Sequence, residues 1–97
     1  MRIIAVKTIK DFWQNHKDSE QPLTAWYHEV KKEQWNSPHD IKKKYKNASI
    51  LKNKRVVFNI AGNKYRLVVA VKYDFRIVYI RFIGMHEIYD KINAETI

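Results

Sequence analysis

Residues 55–73 place cations and an amide among valines, in a stretch that otherwise suits a buried sheet. Among the polar residues of this stretch and the next are Asn59, Lys64, Arg66, Lys72 and Arg81. His86 and Tyr89 follow shortly after. Preplaced cations stabilise the negative charge that develops on phosphorus when RNA is cleaved, and histidine can carry a proton near neutral pH. These residue types suit metal-independent RNA cleavage, provided that the fold brings them to one surface.

The turn inside this stretch decides which residues share a face. Gly62-Asn63 is typical of a two-residue hairpin turn, because glycine supplies the positive φ that the turn requires. Asn59 is then predicted opposite Arg66, and residues directly opposite point to the same side of a sheet. The predicted apolar face consists of Phe58, Ile60, Tyr65, Leu67, Val69 and Val71. The opposite face is predicted to carry Asn59, Lys64, Arg66 and Lys72.

A second hairpin is predicted near residues 74–76, with Tyr73 opposite Arg76. This register pairs Val69 with Ile80 and Leu67 with Phe82. It also places Arg81 opposite Val68, on the polar face beside Arg66. A slip of one residue would bury the cations, so the register is strongly specified.

The first half of the chain has helical periodicity. After a predicted strand at Met1–Val6, Ile9, Phe12 and Trp13 recur at helical spacing, which predicts a helix to about Lys17. Ser19 and Pro22 mark the start of a second helix, and Ser37-Pro38 ends it before a short helical turn and a basic loop. The second apolar stripe consists of Leu23, Trp26, Tyr27 and Val30. The prediction is an α+β fold, a single domain over residues 1–97 with the helices on one face of a small antiparallel sheet.

Composition narrows the function. The 97 residues carry a net charge of +9, which indicates a polyanionic or acidic partner. Without cysteine there is no thiolate nucleophile, and His16, His28 and His39 lack metal-ligand spacing, so neither metal nor cofactor is expected. No signal peptide or membrane span is evident, so we expect a cytoplasmic protein without a membrane partner.

Each polar residue also has a structural explanation. Arg66 and Arg81 can be exposed strand residues paired with carboxylates, and Tyr89 can be a packing residue. His86 can end the strand, and Lys72 can be a solvent-facing residue of the sheet. Lys43 belongs to a run of three lysines, which either form a solvated face or steer a polyanion.

The stretch RVVFNIAGNKYRLVVAVKYDFRIVYIRFIGMHEIYDKI resembles the HigB-type toxins of bacterial toxin–antitoxin modules. The motifs that carry the resemblance are the FNIAGNKYRL hairpin, the YIRF strand and the terminal H-x-x-YDKI. The earlier segments IKDFW and QPLTAWYHEVKKEQWNSPHDIK are similar to the helical half of the family. The resemblance therefore covers essentially the whole chain.

The resemblance implies a fold like that of the RelE-like ribonuclease toxins, whose concave sheet face binds mRNA. It implies an endoribonuclease that cleaves mRNA at the ribosome. It also implies a HigA-like helix-turn-helix antitoxin as partner, and the toxin then contacts operator DNA only as part of the complex with this antitoxin. The resemblance carries over Asn59, Lys64, Arg66, Arg81, His86 and Tyr89. Of these, Arg66, Arg81, His86 and Tyr89 are expected to be catalytic, and Asn59 and Lys64 to bind RNA. Lys72 and Lys43 are added to the predicted RNA-binding residues because of their charge. Some relatives cluster their His, Asp and Tyr more tightly, so the identities of the general base and acid stay open.

Two other classes of function remain open on the sequence. One is a binding protein of the same fold that binds RNA or ribosomes without cleaving, or that inhibits gyrase. The other is a structural subunit whose basic face docks an acidic partner. The joint presence of cations and a proton carrier favours the enzyme, because binding alone needs no proton transfer.

Overall fold

The computed structural model describes residues 1–97 and contains one five-stranded sheet with four α-helices. The strands are β1 (Arg2–Ile4), β2 (Ser49–Ile50), β3 (Arg55–Ile60), β4 (Tyr65–Lys72) and β5 (Ile77–Met85). The helices are α1 (Val6–Asn15), α2 (Glu20–Lys31), α3 (Pro38–Lys44) and α4 (His86–Tyr89). The strand order is β1-β5-β4-β3-β2. None of the helices has the length and apolar character needed to cross a membrane.

The α+β class is confirmed, and the sheet is mixed. The two predicted hairpins, β3–β4 and β4–β5, are antiparallel as expected. The predicted basic loop before them ends in a short strand, β2, which pairs antiparallel to β3 and was not predicted. The first strand joins the sheet beside β5 and runs parallel to it, with Arg2 paired to Ile77. A parallel partner needs a long crossover, which here is supplied by the helices and by the strands that precede β5.

The hydrophobic core lies between the helices and one face of the sheet. From the helices, Leu23, Trp26 and Val30 are buried, and Phe12, Trp13 and Tyr27 pack against them with partial exposure. From the sheet, the core takes the predicted residues Phe58, Ile60, Tyr65, Leu67, Val69 and Val71. The predicted covering of the apolar face is therefore confirmed.

The β3–β4 register is as predicted, with Asn59 opposite Arg66 and Ile60 opposite Tyr65. At the turn, Gly62 has a φ of +68°, the left-handed conformation for which glycine has no steric penalty. The backbone N–H of Lys64 donates to the carbonyl oxygen of Ala61 and closes the turn.

The predicted β4–β5 register holds for only half of the ladder. Val69 lies opposite Ile80 as expected, but the register shifts at Val68, which lies opposite Phe82 rather than Arg81. The predicted pairing of Leu67 with Phe82 is also wrong, since Leu67 faces Ile83. A bulge of this kind inserts one unpaired residue, here Arg81. It reverses the alternation of β5, so that Ile80 and Ile83 both reach the core.

We call the side of the sheet away from α1 and α2 the far face. Its centre is apolar, because Val57 and Val68 form a small second cluster with Ala94. The chain that follows α4, residues 90–97, covers this centre. Partly buried members of the cluster are Leu51, Phe82, Tyr89, Ile92 and Ile97. The far face is therefore not the open polar surface that alternation predicted.

Candidate nucleic-acid interface

One polar row lies at the end of the far face nearest the Gly62-Asn63 turn. It crosses three strands, because Arg66 pairs with Asn59 on β3 and with Gly84 on β5. Nη1 of Arg66 donates to the carbonyl oxygen of Asn63 at 2.9 Å, which holds the partly buried side chain against the turn. The strand pairing thus positions one guanidinium group and one amide side by side.

Gly84 allows an aromatic ring to lie against this row. A Cβ atom at this position would lie 2.6 Å from Cζ of Phe82, a separation that real side chains do not tolerate. The absence of a side chain at Gly84 therefore accommodates the ring of Phe82, which is partly exposed. Sequence reasoning placed Phe82 in the core and missed it here, because a bulge leaves no signal in an uninterrupted apolar run.

The predicted proton carrier follows the same strand. Met85 pairs with Tyr65, and α4 begins at the next residue, His86, two positions after Gly84. The imidazole is exposed, with Nε2 3.2 Å from a carboxylate oxygen of Glu87. Tyr89, at the end of α4, packs against the apolar cluster of the far face and keeps partial exposure. The structure thus brings His86 to the end of the sheet that carries Arg66.

Arg81 shares the far face but sits away from the polar row. Its exposed side chain donates from Nε to the main-chain oxygen of Ile97 at 3.2 Å. Arg55 donates to the same oxygen from Nε at 3.0 Å and from Nη2 at 2.6 Å. Sequence reasoning missed Arg55. The available signal was the alternation of the strand, in which Arg55 falls on the same face as Val57 and Asn59.

The structure places Lys64 differently from the prediction. Its ammonium group forms an ion pair with Asp18, and the hydroxyl of Tyr65 donates to the same carboxylate at 2.6 Å. Asp18 belongs to the turn between α1 and α2, so Lys64 reaches toward the helical side and not the far face. The hydrogen bonds from Lys64 and Tyr65 lower the pKa of Asp18, and the hydrogen bond to Asp18 raises the pKa of Lys64.

The remaining two lysines are exposed and distant from the polar row. Lys72 ends β4 opposite Ile77, six residues beyond Arg66, which is about 20 Å along a strand. Lys43 lies on α3, which packs on the helical side through the buried Ile41. Neither lysine contacts the other predicted site residues through a hydrogen bond or ion pair. They are placed for long-range attraction of a polyanion rather than for contact at the polar row.

No three His, Asp or Glu side chains lie close enough together to hold a metal ion. The chemical groups at this end of the far face are therefore a guanidinium, an amide, an imidazole and a phenol. Such groups can bind a phosphodiester, stabilise added charge on it and transfer protons.

The family model that matches residues 19–92 describes HigB_toxin, the RelE-like toxic component of a toxin–antitoxin system. The chain belongs to the HigB toxin family. The resemblance inferred from the hairpin and the H-x-x-YDKI motif is thereby confirmed. As the toxic component of such a system, this HigB-family protein has a cognate antitoxin as partner.

Individual relatives extend the match to nearly the whole chain. The mRNA interferase toxin HigB of Escherichia coli K12 is 28% identical over 96 residues, covering 97% of this chain and 92% of the relative. The proteins named mRNA interferase HigB in Escherichia coli O157:H7 and Shigella flexneri match to the same extent. Since the alignment with these relatives covers 97% of this HigB-family chain, it takes in α1, which precedes the family match.

Proposed function

We propose that this HigB-family toxin is an endoribonuclease that cleaves mRNA and so arrests translation. The observation that carries the proposal is the far-face row of Asn59 and Arg66, with His86 leaving the sheet beside it. The proposal is supported by the relatives, which are named mRNA interferases. The net charge of +9 also suits a nucleic-acid substrate.

The proposed reaction is a metal-independent transesterification. The ribose 2′-hydroxyl attacks the adjacent phosphorus, so that a 2′-O–P bond forms while the bond from phosphorus to the 5′-oxygen breaks. A general base takes the proton of the 2′-hydroxyl, and a general acid supplies one to the leaving 5′-oxygen. The products are a 2′,3′-cyclic phosphate and a free 5′-hydroxyl.

In this scheme the arginines carry the electrostatic part of catalysis. The phosphorane has negative charge that the ground state lacks, and donors fixed before the reaction stabilise it most effectively. Arg66 is fixed by its hydrogen bond to Asn63, whereas Arg81 must first exchange its contact with Ile97 for the substrate.

The remaining residues bind substrate or transfer protons. His86 is the proposed proton carrier, because imidazole exchanges protons near neutral pH and this one is exposed to solvent and substrate. Tyr89 is proposed to orient a phosphate or stack on a base. Asn59 is proposed to hold the RNA backbone, while Lys64, Lys72 and Lys43 add attraction at longer range.

We further propose that cleavage occurs on transcripts bound to the ribosome, in the cytoplasm. The proposed antitoxin is a HigA-like helix-turn-helix protein, and operator DNA is contacted only through the toxin–antitoxin complex. The proposal of an antitoxin is supported by the family, and the net charge of +9 suits both ribosomal RNA and an acidic segment of a partner.

Expression of the toxin without its antitoxin tests the proposal. Primer extension on mRNA from induced cells should show new 5′ ends within coding regions, absent when Arg66→Ala is expressed to the same level. Intact mRNA together with loss of gyrase supercoiling activity would replace the nuclease by a gyrase inhibitor. Intact mRNA on stalled ribosomes would indicate a protein that binds without cleaving.

A further inference from the structure

Two arginines of the far face converge on a single oxygen atom. Arg55 donates twice and Arg81 once to the main-chain oxygen of Ile97, all at 3.2 Å or less. Neither arginine forms an ion pair with an aspartate or glutamate. Two guanidinium groups held around one point repel each other unless negative charge lies between them, so the pair forms a site for an anion.

The geometry of Arg55 suits a phosphate in particular. Its Nη1 donates to the carbonyl oxygen of Asn53 at 2.9 Å, which fixes the plane of the guanidinium. The other edge, Nε with Nη2, is the fork that binds two oxygens of a phosphate or carboxylate. Because this edge is already oriented, little side-chain entropy is lost when an anion binds.

The chain segment that fills the site is held by a small number of contacts. Ile92, Ala94 and Ile97 pack on the apolar centre of the far face. The amide of Asn53 also donates to the carbonyl oxygen of Glu95 at 2.9 Å, and the backbone N–H of Lys52 donates to a carboxylate oxygen of Glu95 at 3.4 Å. Residues 90–97 otherwise form only short turns, with no strand or α-helix. A segment with so few buried contacts opens more readily than the sheet beneath it.

We propose that Arg55 binds a backbone phosphate of RNA beside the one that Arg81 stabilises during cleavage, at a site that residues 94–97 occupy in the free protein and vacate when RNA binds. The inference rests on the proposed function, because it takes RNA as the ligand. On β4, Arg66 and Ala70, the partner of Arg55, are about 13 Å apart. An RNA strand lying along β4 therefore passes both the polar row and the new phosphate site.

The test uses single-stranded RNA methylated at every 2′-hydroxyl, which binds without being cleaved. Arg55→Gln loses a charge-assisted hydrogen bond to the RNA. The affinity of this variant for the methylated RNA should therefore be roughly 10- to 100-fold lower than that of the wild type. The slope of log affinity against log salt should also become shallower by about 0.7, the value for one phosphate contact on a single strand. Arg55→Lys retains the charge and should lose affinity without losing the slope, so it also covers the case in which the glutamine variant fails to fold.

Two further variants complete the design. Lys32→Ala removes one exposed charge at the end of α2, on the helical side, and should leave both affinity and slope unchanged. Ile97→Gly removes an apolar side chain that anchors residues 94–97 on the far face. The state in which these residues have left the site is then more populated, so this variant should bind RNA more tightly than the wild type.

The outcomes separate the two proposals. If the wild type binds and cleaves RNA while Arg55→Gln keeps its affinity and slope, the phosphate site is wrong and the proposed function stands. If Ile97→Gly binds no more tightly than the wild type, the capping role of residues 94–97 is wrong. If the wild type neither binds this RNA nor cleaves mRNA on ribosomes, both proposals fail.

Discussion

Replacing Arg66 by alanine should abolish cleavage more completely than replacing His86. Arg66 is held at 2.9 Å by the carbonyl oxygen of Asn63 and lies opposite Asn59, so it is positioned before substrate arrives. Loss of one such preplaced donor lowers the rate about 100- to 1,000-fold. Loss of its charged hydrogen bond to the bound RNA lowers affinity by a further 10- to 100-fold, roughly. The combined loss in kcat/KM is then on the order of 1,000- to 100,000-fold.

His86 contributes differently. A general acid or base accounts for about 100- to 10,000-fold in rate, a range that overlaps with that of the arginine. The imidazole is exposed, so water can reach its place in the His86→Ala variant and transfer protons inefficiently. Because the proposed role of His86 is proton transfer and not RNA binding, its loss should lower kcat, whereas Arg66→Ala should change kcat and KM together.

The assay measures in vitro mRNA cleavage and growth rescue for Arg66→Ala, Arg81→Ala and His86→Ala, each shown to be folded by circular dichroism. Lys32→Ala serves as the matched control for loss of one positive charge. Folded Arg66→Ala and Arg81→Ala variants that cleave like the parent would show that the far face is not the active site. A completely inactive His86→Ala beside partly active arginine variants would show that proton transfer dominates.

Three further outcomes follow from the packing and the ion pairs. Trp26→Ala should lower the free energy of unfolding by about 3–5 kcal/mol in urea titrations, because the indole is 3% exposed in the core; a variant as stable as the parent would contradict this packing. Because the pKa of Asp18 is lowered in the folded state, its contribution to stability is present above about pH 4 and is lost as pH falls below that value. Thermal melts between pH 2.5 and 6 should therefore show a shallower acid-side decline for Asp18→Asn, and an unchanged profile would argue against the pair with Lys64. Gly84→Ala should displace the ring of Phe82 and cost about 1–3 kcal/mol, measured in the same titrations; a neutral substitution would show that the ring adjusts freely.

Local signals were sufficient for most of the fold. The Gly62-Asn63 turn determines the β3–β4 register, because a two-residue turn allows only one pairing of the strands that it joins. The helical stripe through Trp26 correctly identified the face of α2 that covers the sheet. These features depend on residues close together in the chain, and the patterns of such residues are visible in one sequence.

The departures arose where tertiary packing overrides local pattern. The bulge at Arg81 lets Ile80 and Ile83 both enter the core, a gain that strict alternation does not reveal. Lys64 turns toward the helices because Asp18, far away in sequence, provides a carboxylate there. Residues 90–97 cover the far face through contacts with residues distant in the sequence, and the periodicity of the sequence does not predict such contacts.

The candidate site shows the same division. The pairing of Asn59 with Arg66 and the position of His86 beyond β5 follow from strand geometry and were predicted. The place of Arg55 in the candidate site was not predicted, because it depends on a contact far apart in sequence: Arg55 and Arg81 both donate to the main-chain oxygen of Ile97.

Analysis of the product ends decides whether this HigB-family toxin cleaves RNA through the 2′-hydroxyl of its substrate. Purified toxin freed of its antitoxin is stripped of metal with EDTA, returned to chelator-free buffer, and incubated with Mg²⁺-containing ribosomes that carry a defined mRNA, or the same mRNA bearing a single 2′-deoxy nucleotide at the cleaved position. We expect cleavage of the all-ribose message, with 2′,3′-cyclic phosphate and 5′-hydroxyl ends, and none at the deoxy position. Cleavage at the deoxy position or products with a 5′-phosphate would show that the 2′-hydroxyl is not the nucleophile.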